Sequence, residues 1–175
     1  MRITSTKINP IRTRRGNHDA LALRMCTPNR FSKLCSMKEA TARELLQETL
    51  GTPIFETGLV VMPQQPWLCC SPDGLLQVNG ETVLTCPIVD RENGVCNVPY
   101  LTYREGELSL EPPQMHYTQA QVQLYVLNLQ KAIFFVYSPK GSEAILVKRD
   151  ETFLVETVPK LEHCYFTYLF TMLCK

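Results

Sequence analysis

Pro66-Trp67-Leu68-Cys69-Cys70-Ser71-Pro72-Asp73-Gly74, PWLCCSPDG, ends an apolar run in a tight turn that carries one carboxylate. A little further on, the chain reads Thr82-Val83-Leu84-Thr85-Cys86-Pro87, TVLTCP, a second strand-like run without a charge. Between them lies Asn79-Gly80, a strong two-residue hairpin signal. The first strand therefore turns at Asp73 and doubles back through Val83 and Thr85. If Asp73 has chemistry to do, its natural helpers sit on that returning strand.

Working outward, strand-like runs cover Phe55 to Met62, Trp67 to Cys70, Leu75 to Val78 and Thr82 to Cys86. Before them, MKEATARELLQETLG reads as an amphipathic helix, with Ser36 as cap, Glu39 three residues later as in a capping box, and Gly51 as stop. Ala20 to Met25 is a shorter helix. Residues 88–113 look like loop, with a hairpin signal around Arg104 to Glu107. Gln114 to Leu129 is a second clear helix. Ala132 to Tyr137 and Ala144 to Val147 are strands, and Asp150 can cap a last helix that carries Leu161, Tyr165, Tyr168, Leu169 and Met172 as an apolar stripe. Such a stripe is core more often than interface. The expected fold is α/β (α+β), a mixed sheet flanked by helices, in a single domain over residues 1–175.

A chain of 175 residues with 45% hydrophobic and 20% charged residues suits one soluble core. No apolar run is long enough to span a bilayer, and the polar, basic start has no signal-peptide core. An intracellular place, nuclear or cytoplasmic, is expected. Eight cysteines lack the spacing of a disulfide or zinc framework, and Cys69, Cys70, Cys86, Cys164 and Cys174 lie in apolar runs as small hydrophobes. The net charge of +1 conceals an asymmetry. Residues 1–38 hold Arg2, Lys7, Arg12, Arg14, Arg15, Arg24, Arg30, Lys33 and Lys38 against the single acid Asp19. A basic lobe on an acidic body suits phosphate, so DNA or RNA are candidate partners; it is equally the pattern of a solvated arm. A protein partner or self-association is the other candidate, and no membrane is expected.

Asp73 and Glu39 could converge on a hard divalent cation, which takes oxygen ligands. Both also have ordinary explanations, since Ser-Pro-Asp-Gly is common turn chemistry and Glu39 fits a capping box. A resemblance bears on the choice. The opening Met1-Arg2-Ile3-Thr4-Ser5, the helix with Glu39, GLVVMPQQPWLCCSPDGLL from Gly58 to Leu76, Cys86-Pro87, and HYTQAQVQLYVLNLQKAIFFVYSPKG from His116 to Gly141 occur in one order. Together they resemble a YqaJ-type viral recombinase domain, the lambda-exonuclease branch of the PD-(D/E)XK nucleases, over nearly the whole chain.

The resemblance implies a restriction-endonuclease-like mixed central sheet and a role for particular residues. Arg2 and Ser5, with Thr6 following, match a segment that binds the terminal phosphate of a DNA strand. Glu39 matches a metal-site glutamate, although Cys35 stands where the family has glycine four residues earlier. Asp73 matches the metal-binding aspartate. Gln119 and Gln121, just after Tyr117, match the helix glutamines.

The returning strand departs from the family, which has Glu-x-Lys-Cys-Pro there. Val83 stands at the Glu position and Thr85 at the Lys position, so a metal carboxylate and the cation of the reacting centre are both lost. Glu81 lies on the same face as Val83 but about 6.8 Å along the strand, too far to take its place without a bulge. The expectation is therefore a degenerate nuclease domain of transposon or viral origin, binding nucleic acid or protein and needing no cofactor. The alternative is an active 5′–3′ deoxyribonuclease that uses Mg²⁺ or Mn²⁺ on Glu39, Asp73 and Glu81. The Met1-Arg2 start, without the family's upstream helix, suggests either an excised domain of a longer protein or an N-terminally shortened one.

Overall fold

The computed structural model describes residues 2–26, 33–78, 81–89, 100–104, 107–112, 114–138 and 141–174, with backbone only at 33–38, 78, 81, 86–89, 103–104, 107 and 138. Its centre is a four-stranded sheet of β4 (Gly74–Val78), β5 (Glu81–Val89), β8 (Lys131–Ser138) and β9 (Gly141–Lys148), in that spatial order. β4 and β5 pair antiparallel, β5 and β8 parallel, and β8 and β9 antiparallel. The register places Gly74 opposite Thr85, Leu76 opposite Val83, and Val78 opposite Glu81. The turn at Asn79-Gly80 itself lies outside the described residues.

Helices cover both faces of this sheet. On one, α3 (Lys33–Leu50) packs Ala42 and Leu46 against Ile54, Leu76, Val83 and Phe135. On the other, α4 (Met115–Leu127) packs Ala120 and Leu124 against Leu84, Ala132 and Phe134. Val83 and Leu84 thus point to opposite faces, as strand alternation requires. α4 is buried nearly all round, because its far side meets a third cluster. That cluster joins Val122 and Val126 to α1 (Ile8–Arg12), α2 (His18–Cys26), α5 (Glu151–Cys164) and the small sheet of β1 (Ile3–Thr4), β3 (Leu68–Cys70) and β2 (Val60–Val61). Asn128 ends α4 in the left-handed region at φ 52°, a usual way to close a helix without glycine.

Several expectations hold. Gly51, at φ 62°, terminates α3. Asp150 caps α5 by accepting from the Phe153 N–H at 3.0 Å. β6 (Leu101–Arg104) and β7 (Glu107–Leu110) form the hairpin signalled around Arg104 to Glu107. In the last helix Leu161, Tyr165 and Leu169 are buried in the core, with Tyr168 and Met172 packed against them. That helix passes through a π-helical turn over Tyr165–Phe170.

Other expectations need correction. α3 begins at Lys33, so Ser36 is inside the helix and not its cap. The run from Phe55 to Met62 is not one strand: only a bridge at Phe55 and the two residues of β2 pair, since Glu56 and Leu59 are exposed and give no face to bury. α1 was not signalled, because Pro10 suggests a break; it sits in the first turn, where the missing N–H is harmless. Cys69 and Cys70 are both fully buried, and Cys26, Cys69, Cys70, Cys164 and Cys174 are free thiols. Burial pushes the Cys70 thiol up to about 12, with the neighbouring Cys69 adding to it, so it stays a protonated, inert core group. Among the described residues no helix is long and apolar enough to cross a membrane.

Candidate functional site

The end of β3 runs through Ser71 and Pro72 into Asp73, and β4 starts at Gly74. Glycine is required there by space. A Cβ would collide with Ile54 and would stand 2.7 Å from Thr85 Oγ1. Thr85 is fully buried, and its hydroxyl has no hydrogen-bond partner among the described residues. A hydroxyl sealed against Gly74 is an expensive arrangement, since water could have satisfied it in the unfolded chain.

Asp73 is partly buried at this turn. Desolvation, and then the Glu39 carboxylate, raise its pKa to about 7, against a smaller downward pull from Arg43. Asp73 and Glu39 are thus close enough to repel, as the convergence of α3 on the turn led the sequence to suggest. Arg43 follows Glu39 by one helical turn on the same face of α3. It forms an ion pair with Glu56, and its side chain is 19% exposed against 74% for Glu56. Arg43 was not singled out from the sequence; its i, i+4 spacing from Glu39 was the available signal.

Val83 is buried in the apolar cluster with Ala42, Leu46 and Leu76. The register puts Glu81 at the far end of the β4–β5 hairpin, opposite Val78. Its Cα is four residues from Thr85, about 14 Å along the strand at the usual rise. The Glu81 side chain lies outside the described residues, as does that of Cys35. Among the described residues no group of three or more His, Cys, Asp or Glu is placed to hold a metal.

The helix glutamines divide. Gln121 is fully buried and fully engaged: its Nε2 donates to the Lys148 carbonyl at 2.8 Å, and its Oε1 accepts from the Asp150 N–H at 2.8 Å. It fastens α4 to the β9–α5 junction. Tyr117 serves the same junction, donating its hydroxyl to Asp150 Oδ2 at 2.7 Å. Those two hydrogen bonds to Asp150, from the Phe153 N–H first and Tyr117 next, hold its carboxyl below the ordinary value. Gln119 is partly buried, and Gln123, four residues on, donates from Nε2 to the Ser71 carbonyl at 3.3 Å, two residues before Asp73. Gln123 was not singled out in the sequence, although it shares a helix face with Gln119.

Arg2 and Ser5 sit beside the same strand. β1 runs parallel to β3, with Ile3 level with Leu68 and Thr4 with Cys69, so the chain through Ser5 heads toward the Asp73 turn. Arg2 is exposed and its Nε donates to the Pro66 carbonyl at 2.9 Å; Ser5 is buried at the start of a 3₁₀ turn.

No protein-family model and no curated protein matches the chain. Solved structures do. LHK-Exo in complex with dAMP superposes with a TM-score of 0.73 and 19% identity, over 95% of this chain and 87% of that one. The alkaline exonuclease LHK-Exo from Laribacter hongkongensis gives a TM-score of 0.70 and 17% identity, over 95% and 89% of the two chains. At such identity the likeness is one of fold, and it spans nearly every described element. The chain has the mixed α/β fold of the alkaline exonuclease LHK-Exo, with the Asp73 turn, the α3 face and the β4–β5 hairpin forming one corner of it.

Proposed function

We propose that this chain is a catalytically degenerate nuclease-fold domain that works by binding, with nucleic acid the favoured partner and a protein the other. The observation that carries this reading is Val83. It is 5% exposed and packed among Ala42, Leu46, Ile54 and Leu76, so the strand position that resembles a metal carboxylate in the sequence is committed to the core. Thr85 cannot supply the missing cation, and its hydroxyl is turned into the Gly74 contact. The remaining residues do not suit a divalent ion. A hard cation needs several oxygen ligands, whereas Asp73 and Glu39 share their corner with the fixed positive charge of Arg43. No hydrolytic step is therefore assigned, and no cofactor. The basic N-terminal segment supports nucleic acid as partner.

One observation favours a second reading, a live Mg²⁺- or Mn²⁺-dependent exonuclease. Asp73 and Glu39 repel each other, and a cation between them would relieve that repulsion. The hairpin register weighs against Glu81 as a third ligand.

The test is incubation of the purified chain with 5′-phosphorylated linear duplex and single-stranded DNA, in Mn²⁺ and in EDTA, beside Asp73→Ala. Intact DNA in every arm is expected. Mn²⁺-dependent degradation that disappears in Asp73→Ala would overturn the proposal, and Glu81→Gln would then decide whether Glu81 takes part.

A further inference from the structure

Away from the Asp73 corner, α1 and α5 leave a cleft between them. Its volume is about 440 Å³, and its lining includes Arg12, Arg14, His18, Lys160 and His163. Among the described residues no Asp or Glu lines it. The volume is that of a site for a small organic ligand, roughly 300–1,000 Å³. The cleft arises because Arg12 and Arg14 come from the end of α1 and the turn beyond it, and Lys160 and His163 from neighbouring turns of α5.

Several of the basic groups are held in place by their neighbours. Arg14 donates from Nε to the Gly16 carbonyl at 2.7 Å and from Nη2 to the Asn17 carbonyl at 3.0 Å. The Arg12 guanidinium lies over the Phe153 ring at 5.5 Å. His18 stacks on Tyr168 with centroids 4.9 Å apart, and His163 meets the same ring edge-on at 6.0 Å. His163 Nδ1 is 3.3 Å from Thr167 Oγ1. Nearby carboxylates are Asp19, next to His18, and Glu156 and Glu162 on α5; all three are exposed. Among the described residues neither Arg14 nor Lys160 forms an ion pair. Three permanent cations line one concave space, Arg14 tied to two carbonyls, Arg12 set over a ring and Lys160 free to reach in from α5, and together they form an anion receptor.

We propose that this cleft is a phosphate-ester site, in which the Arg12 and Arg14 guanidiniums and Lys160 receive one phosphate and the His18 and His163 rings lie beside the group attached to it. The phosphate can belong to a nucleic-acid strand or to a free nucleotide, since both present the same chemistry. The proposal goes beyond the degenerate-nuclease reading and shares no residue with the Asp73 corner. DNA degradation by the wild-type chain would sink that reading and leave this one standing.

The experiment uses the full chain, Asp73→Ala, and the double variant Arg14→Glu/Lys160→Glu. Arg14 and Lys160 lie outside the buried core, so the double variant is expected to fold, checked by circular dichroism and Tm. Three probes are titrated: inorganic phosphate, dAMP and a fluorescent single-stranded oligonucleotide. Wild type and Asp73→Ala are expected to bind a probe alike, with about a tenfold or greater loss in the double variant. If the source is a strand, oligonucleotide anisotropy responds and the slope of log K against log salt falls in size by roughly one in the double variant. If the source is a nucleotide, dAMP gives a calorimetric signal and the oligonucleotide does not. Absence of binding by all three probes at millimolar concentration overturns the proposal. So does binding that a folded double variant leaves unchanged.

Discussion

Asp73 carries the sharpest residue-level consequence of this corner. Its pKa is raised in the folded chain to about 7, first by desolvation and then by Glu39, so the folded state holds its proton more tightly than the unfolded state does. Between about pH 4 and 7 the folded chain binds more protons, and stability falls as pH rises through that window. Asp73→Asn is therefore expected to raise Tm at pH 8, by the equivalent of about 2 kcal/mol when the carboxyl's partial exposure is allowed for. The gain should vanish below pH 4; thermal melts at both pH values check it, and an equal gain at the two would refute the assignment. Thr85 supplies a second case. Its buried hydroxyl has no partner among the described residues, so Thr85→Val, which keeps shape and removes the orphan, is expected to stabilise the chain by about 1 kcal/mol in urea titrations.

Among the elements, α4 is the one on which the fold turns. It lies between the sheet and the α1–α2–α5 layer, and Gln121 ties it to both backbone groups where β9 hands over to α5. Gln121→Leu would strand a buried carbonyl and a buried N–H together, an expected loss of about 3 kcal/mol. Gln119→Ala, on the partly buried face, should cost no more than about 0.5 kcal/mol. Denaturation midpoints of the two variants compare them directly, and equal losses would mean that Gln121 is not the fastening it looks to be.

For the molecule as a whole, the question is whether its corner still gains from a cation. A ligand that binds only the folded state stabilises it in proportion to the logarithm of its concentration over Kd. With Arg43 beside Asp73 and Val83 in the core, millimolar Mg²⁺ or Mn²⁺ is expected to leave Tm unchanged relative to EDTA. A rise of several degrees that Asp73→Ala abolishes would reinstate a metal centre.

Local chemistry in the chain was enough to announce the hairpin, the Asp150 cap, the Gly51 stop and both long helices. Strand alternation and turn residues act over a few positions, and each leaves its mark in neighbouring letters. Capping also misled where signals overlapped: Ser36 looked like a cap inside a helix that starts earlier. Long-range packing was invisible. Nothing in the letters joined Gln123 to Ser71 or locked Gln121 onto Lys148 and Asp150. The cleft between α1 and α5 was equally hidden, because Arg14 and Lys160 are far apart in the chain. Such contacts depend on how helices seat on a sheet, which is set by the sum of many buried side chains and not by any one of them.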